Sequence, residues 1–179
     1  MIVYRNADPR YPFLWEEGAG SQPAARWHAE GEGPVQYLSD TPDGAWAEFL
    51  RHEDIRDPEE FSYIRRSLWA VDIGSEHLAS AELPAETLTG DARSYCACRE
   101  EARRLRSAGS SGFKARSAAL RPGTAGGWRV DAGLRPGAER DGQTIVLFGG
   151  RPDLTGWRTV FAGRPDEALL AAVRFLSPG

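Results

Sequence analysis

The chain has 179 residues, of which 41% are hydrophobic and 27% charged, with six Trp, seven Phe and five Tyr. One domain of that size buries about 70% of its unfolded surface without disulfides, so the composition excludes a disordered tail. The net charge of −4 sets a mean field that repels polyanions, which argues against a nucleic-acid partner and requires any anionic ligand to be gripped locally.

In chain order, the first residues carry no basic-then-apolar export signal, and no apolar run approaches the roughly 18 residues of a membrane span. No membrane partner and a cytoplasmic location are therefore expected. Residues 2–5 and Val35–Ser39 read as short strands, each followed by turn chemistry, Asn6-Ala7-Asp8-Pro9 and Asp40-Thr41-Pro42-Asp43. Thr41 can cap a helix with Pro42 in its first position, and Ala45, Trp46, Phe49 and Leu50 recur at helical spacing, which predicts a helix over Pro42–His52. Residues 61–73 are rich in β-formers and predict one or two strands. Residues 91–107 carry Tyr95, Cys98, Ala102 and Leu105 on one stripe, which predicts a second amphipathic helix. Further strands are expected over 112–118, 128–131, 144–148 and 158–162, and a closing helix over 165–176, capped near Gly163. Glycine and proline cluster at 122–127 and 134–142, which predicts two mobile loops. The expected fold is α+β: a single domain over 1–179 with mixed or antiparallel strands and flanking helices.

Generic catalytic signatures are absent from the sequence: there is no phosphate loop, no dinucleotide glycine fingerprint and no nucleophile elbow. His28, His52 and His77 are too scattered for a ligand set, and Cys96 and Cys98, two apart in a helix, face nearly opposite ways, so no metal and no disulfide are expected. All 22 cationic residues except Lys114 are arginines, whose planar forks suit phosphates and carboxylates. What remains is a constellation at regular intervals in the first third. Arg5 ends the first strand, Arg26-Trp27 follows a glycine-containing loop, Tyr37 lies in the second strand and Glu48 on the first helix.

The stretches Gly18-Ala19-Gly20, Arg26-Trp27-His28, Gly33-Pro34-Val35-Gln36-Tyr37-Leu38-Ser39 and Ala45-Trp46-Ala47-Glu48-Phe49-Leu50-Arg51-His52 together resemble the RES domain, a family named for an Arg, a Glu and a Ser. Gly112-Phe113-Lys114-Ala115-Arg116-Ser117 resembles the segment that carries the family serine, and Thr144-Ile145-Val146-Leu147-Phe148 its next apolar strand. His28 stands where the family usually has Asn, and Ala24-Ala25 replaces glycines. The resemblance implies a fold similar to ADP-ribosyltransferase toxins and consumption of NAD⁺ as a substrate, not a cofactor, by phosphorolysis or hydrolysis of the nicotinamide–ribose bond. Inorganic phosphate is then a co-substrate in the first case. The implied catalytic residues are Glu48, Arg26, Tyr37 and Ser117, and the implied substrate-binding residues Arg5, Arg26, Tyr37, Trp27 and His28.

These roles make chemical sense. Nicotinamide in NAD⁺ is already a cationic leaving group, so the enzyme must stabilise the positive charge growing on ribose, for which a carboxylate such as Glu48 is suited. Glu48 falls on the flank of its helix beside Ala45 and His52, where it can border a cleft. Arg5 and Arg26 can grip the pyrophosphate or an acceptor phosphate. Tyr37 offers a flat face and a hydroxyl, Trp27 packs beneath, and Ser117, with no adjacent base, orients substrate or Glu48. An antitoxin protein that blocks the site and a homodimer are the expected partners. Two other readings are transfer of ADP-ribose to a macromolecule and a non-catalytic nucleotide-binding module.

Overall fold

A computed structural model describes residues 1–176. The chain begins with strand β1 (Ile2–Ala7) and reaches β2 (Val35–Ser39) through a long loop that carries Arg26 and Trp27. Helix α1 (Pro42–His52) starts where the Thr41 hydroxyl accepts the Gly44 N–H at 3.0 Å, with Pro42 in the first turn. A 3₁₀ turn at Pro58–Tyr63 leads into β3 (Arg66–Asp72), and the brief β4 (Ala79–Ser80) is followed by α2 (Ala85–Thr89) and α3 (Tyr95–Ser107). The remainder is β5 (Gly112–Arg116), a ribbon of β6 (Trp128–Val130) with β7 (Leu134–Pro136), β8 (Gln143–Phe148) and β9 (Thr155–Gly163).

Seven strands form one mixed sheet in the order β4-β5-β8-β2-β1-β3-β9, parallel only between β4 and β5, and helices pack against it: an α+β domain. The joint at its centre matters most. β1 is in register with β3 along its whole length, Ile2↔Asp72 to Ala7↔Ser67, and β2 with β8 from Val35↔Phe148 to Ser39↔Thr144. β1 and β2, in contrast, register only at Tyr4↔Ser39. Two well-laddered half-sheets therefore meet at one pair, and backbone groups beyond it need other partners. The Arg5 guanidinium meets one such need by donating to the Tyr37 carbonyl at 3.3 Å.

Three clusters surround this joint. Ala45, Trp46, Ala47 and Leu50 of α1 pack with Phe61, Leu68 and Val173. Cys98, Ala102 and Leu105 of α3 pack with Trp27, Phe113 and Val146. Val3, Leu38, Val71, Ile145 and Leu147 bind the two half-sheets together from a third direction.

Several local expectations change. The helix predicted over 91–107 is a 3₁₀ turn at Ala92–Ser94 followed by α3. The closing helix over 165–176 shrinks to a 3₁₀ turn, Glu167–Ala172, capped by Asp166 rather than near Gly163. Pairing along the chain takes the rest: Arg121 N–H donates to the Ala172 carbonyl at 2.8 Å, Arg174 N–H to Ala119 at 2.6 Å, and Leu120 bridges Val173. The glycine-rich stretch at 134–142 supplies β7, and the short β4 and α2 have no counterpart among the predicted elements.

Candidate active site

Helical spacing puts Ala45, Glu48, Phe49 and His52 of α1 along one wall of a cavity of about 400 Å³, and Arg51 joins them one turn past Glu48. The opposite wall is the loosened joint, with Arg5 from β1 and Tyr37 from β2. A volume of this order fits a small organic ligand. Five arginines line it, Arg5, Arg26, Arg51, Arg66 and Arg116, against two carboxylates, Glu48 and Glu53. The cavity is thus a positive pocket in a negatively charged chain, the local anion trap that the net charge demands.

Glu48 accepts a hydrogen bond from the Thr144 hydroxyl at 3.3 Å. Thr144 comes from β8, delivered beside the end of β2 by the register Ser39↔Thr144. Burial pushes the Glu48 carboxyl above its ordinary value, while Arg51, Arg26 and the Thr144 bond pull it back. No salt bridge joins Glu48 to either arginine among the described residues, so its charge is held at a distance and remains available to a ligand.

Arg26 sits at the tip of a turn closed by the Ala25 N–H and the His28 carbonyl at 3.0 Å. Its guanidinium donates to the carbonyls of Gly90 at 2.7 Å and Thr87 at 3.4 Å and to the Ser94 hydroxyl at 3.1 Å, and it lies 4.7 Å over the Tyr95 ring. Arg51 donates to the carbonyls of Ala118, Arg174 (2.9 Å) and Gly90 (3.2 Å). Burial lowers its pKa and the Glu48 charge raises it. Both arginines therefore hold backbone from several segments in place, and both add positive potential beside Glu48. Arg5 differs. Only its Nη1 is engaged, donating to the Tyr37 carbonyl at 3.3 Å and the Gln36 carboxamide oxygen at 3.5 Å; no carboxylate lies within ion-pair distance among the described residues, and burial, with Arg66 second, pulls its pKa down to about 10.

The remaining sequence-predicted residues divide. Trp27 is buried, lines the cavity and meets Phe113 edge-on at 4.9 Å. Tyr37 lines the cavity, but its hydroxyl is engaged on the far side: it accepts the Trp27 N–H at 3.1 Å and meets His28 Nδ1 at 2.9 Å. Burial raises the Tyr37 phenol, which keeps it protonated and able to donate to Nδ1. His28 is buried and stands behind Tyr37, outside the cavity lining, against a separate hollow of about 50 Å³. Ser117 also lies outside the lining, between two residues, Arg116 and Ala118, that belong to it. Its buried hydroxyl accepts the N–H groups of Ala119 and Leu120, both at 3.2 Å, and so shapes the turn that presents the Ala118 carbonyl to Arg51. A link runs from Ser117 through Ala118 and Arg51 to the surroundings of Glu48.

Sequence reasoning missed Arg51, Arg66, Tyr95 and Thr144. Arg51 had a readable signal, three residues after Glu48 on the same flank. Arg66 and Thr144 arrive through sheet register and leave no local trace. Among the described residues no group of three or more His, Cys, Asp or Glu side chains converges to hold a metal ion, and no helix is long and apolar enough to cross a membrane.

A family model described as the RES domain matches residues 2–160 of this chain. No curated protein matches it. Among solved structures, the chain is similar to one in the crystal structure of the M. tuberculosis MbcT–MbcA toxin–antitoxin complex, with a TM-score of 0.58 and 15% identity over 89% of this chain and 84% of that one. At that identity the likeness is one of fold.

Proposed function

Since the chain belongs to the RES-domain family, we propose that it is an NAD⁺-consuming enzyme that cleaves the nicotinamide–ribose bond and acts in the cytoplasm as the toxin of a toxin–antitoxin pair. The observation that carries this reading is the placement of the Glu48 carboxylate and the uncommitted Arg5 fork on one cavity of about 400 Å³ with a surplus of arginine. As the C1′–N bond breaks, its electron pair passes to the nicotinamide ring, which leaves neutral. The charge left on the ribose is stabilised by Glu48, aimed at the sugar from α1 and steadied by Thr144. The phosphate anion then adds to C1′ to give ADP-ribose 1-phosphate, or water adds and releases a proton to solvent to give ADP-ribose. Glu48 acts as an ionised group, so its raised pKa places the acid limb of the rate above the ordinary carboxylate range.

An antitoxin partner is supported by the fold shared with a chain of the MbcT–MbcA complex. The test is direct. Purified protein is given NAD⁺ with and without inorganic phosphate, and nicotinamide and the sugar product are identified. Stoichiometric nicotinamide with no ADP-ribose on protein is expected, and Glu48→Gln should bind NAD⁺ yet turn it over poorly. Full activity in Glu48→Gln, or label transferred to a macromolecule, overturns the reading. Expression of the wild type but not Glu48→Gln should arrest growth if the protein is a toxin.

A further inference from the structure

We propose that Arg5 and Arg66 form a subsite for the diphosphate of a dinucleotide, with Arg66, which no local sequence pattern singles out, as its specificity-determining member. The inference rests on the NAD⁺ reading for its substrate, but its geometry is separate from the cleavage chemistry. Arg66 enters the cavity from β3 and is held in a fixed pose: its Nε donates to the Asn6 carboxamide oxygen at 2.7 Å and its guanidinium lies 4.9 Å over the Phe49 ring. Its carboxylate partner is shared: Asp8 pairs with Arg66 at 3.9 Å but is gripped more closely by Nε (3.0 Å) and Nη2 (2.8 Å) of Arg10, and Glu53 makes no ion pair with Arg66 among the described residues. Burial lowers the Arg66 pKa most, and the charges of Asp8 and Glu53 raise it in part.

Arg5 and Arg66 thus line one cavity, and burial, then the Arg66 charge, depress the Arg5 guanidinium, which has no carboxylate within ion-pair distance among the described residues. A divalent oxyanion bridging the two forks would offset both effects on Arg5. The other arginine pair leaves few free donors for this task, because Arg26 and Arg51 hold backbone carbonyls. A diphosphate on Arg5 and Arg66 leaves the ribose end of the ligand to face Glu48.

The test uses ADP, which carries the diphosphate and lacks nicotinamide, in calorimetric titrations of the whole protein. ADP is expected to bind the wild type at least tenfold tighter than inorganic phosphate does, and Arg66→Gln or Arg5→Gln to weaken ADP by about 10- to 100-fold. Arg66→Lys, which keeps the charge and loses the fork, should fall between, and Arg129→Gln on the exposed ribbon should change nothing. Thermal unfolding of each variant verifies that it is folded. With NAD⁺ as substrate, Arg66→Gln should raise KM and spare kcat, and cleavage of nicotinamide riboside, which has no diphosphate, should be indifferent to the change. ADP affinity independent of Arg66, or equal affinity for ADP and inorganic phosphate, overturns the subsite. If ADP binds as expected and NAD⁺ is not cleaved, the subsite stands and the cleavage reading fails.

Discussion

The two ends of the cavity use the same side chain in opposite ways. At the α1–α2 end, Arg26 and Arg51 are buried and hold carbonyls of segments remote in sequence, sharing that of Gly90. At the β1–β3 end, Arg5 and Arg66 are part-exposed, and most of the Arg5 donors have no protein partner. A buried guanidinium is tolerated when its N–H groups are met, and its charge still acts through space. The first pair therefore fixes the walls and the potential around Glu48, and the second waits for a ligand. An arginine count alone would have treated the four as equivalent.

Substitutions should separate these roles, beginning with the group between them. On the proposed NAD⁺ cleavage, Glu48→Gln removes the carboxylate assigned to the ribose and is expected to lower turnover by about 10²- to 10³-fold with NAD⁺ affinity retained, as measured by nicotinamide release and calorimetry. It should also raise thermal stability near pH 7. A carboxyl raised by burial makes the folded state unfavourable to the ionised form, so its penalty is full above the raised pKa and disappears as pH falls to the ordinary value of 4.5. The stability gain of Glu48→Gln should vanish there. Arg51→Met comes next: with the carbonyls of Ala118, Arg174 and Gly90 left short of a donor, it should lose about 3 kcal/mol in denaturant unfolding, and activity with it. Arg5→Met strips away a cation that has no carboxylate partner. It also leaves the Tyr37 carbonyl without that donor, so Arg5→Met should destabilise the protein far less than Arg51→Met does, while ADP affinity drops by about tenfold or more. Equal destabilisation by Arg51→Met and Arg5→Met would erase the distinction between the two ends.

What was legible in the sequence follows the range of the interactions. Helix α1 is read to both ends because its cap, its proline and its apolar period are all local. The segment at 165–176 is misread because its backbone is taken by residues 119–121, which no local pattern announces. In the site, Arg5, Arg26, Tyr37 and Glu48 were singled out by order along the chain, through the family resemblance, and they do stand on one cavity. The sense of their donors was not legible: whether Arg26 faces a ligand or the carbonyl of Gly90 depends on where α2 ends. Ser117 illustrates the same limit. Its residue type suggests contact with substrate, and only the turn it closes reveals a role through Ala118 and Arg51.

The smallest effect tests the scaffold behind the engaged end. Burial, first, and the charges of Arg99 and Arg106 lower the His28 pKa, against the Pro23 carbonyl and Glu32, which raise it. A histidine whose pKa is depressed on folding contributes stability in full above its ordinary value of 6.5, and that contribution is lost as pH falls, because the unfolded chain takes up the proton first. The slope is at most about 1.4 kcal/mol per pH unit. Glu48 acts in the opposite sense as pH falls toward 4.5, so the two partly cancel in the wild type. The clean comparison is Glu48→Gln against Glu48→Gln/His28→Gln, whose glutamine oxygen can still accept the Tyr37 hydroxyl. Between pH 6.5 and 5 the single variant should lose stability with acid more steeply than the double. In the folded protein Nδ1 takes up its proton only below the depressed pKa; it then ceases to accept from Tyr37, whose oxygen also receives the Trp27 N–H, so a shift in Trp27 fluorescence should set in at lower pH than the loss of stability begins. Parallel stability curves would mean that the His28 proton does not govern this wall.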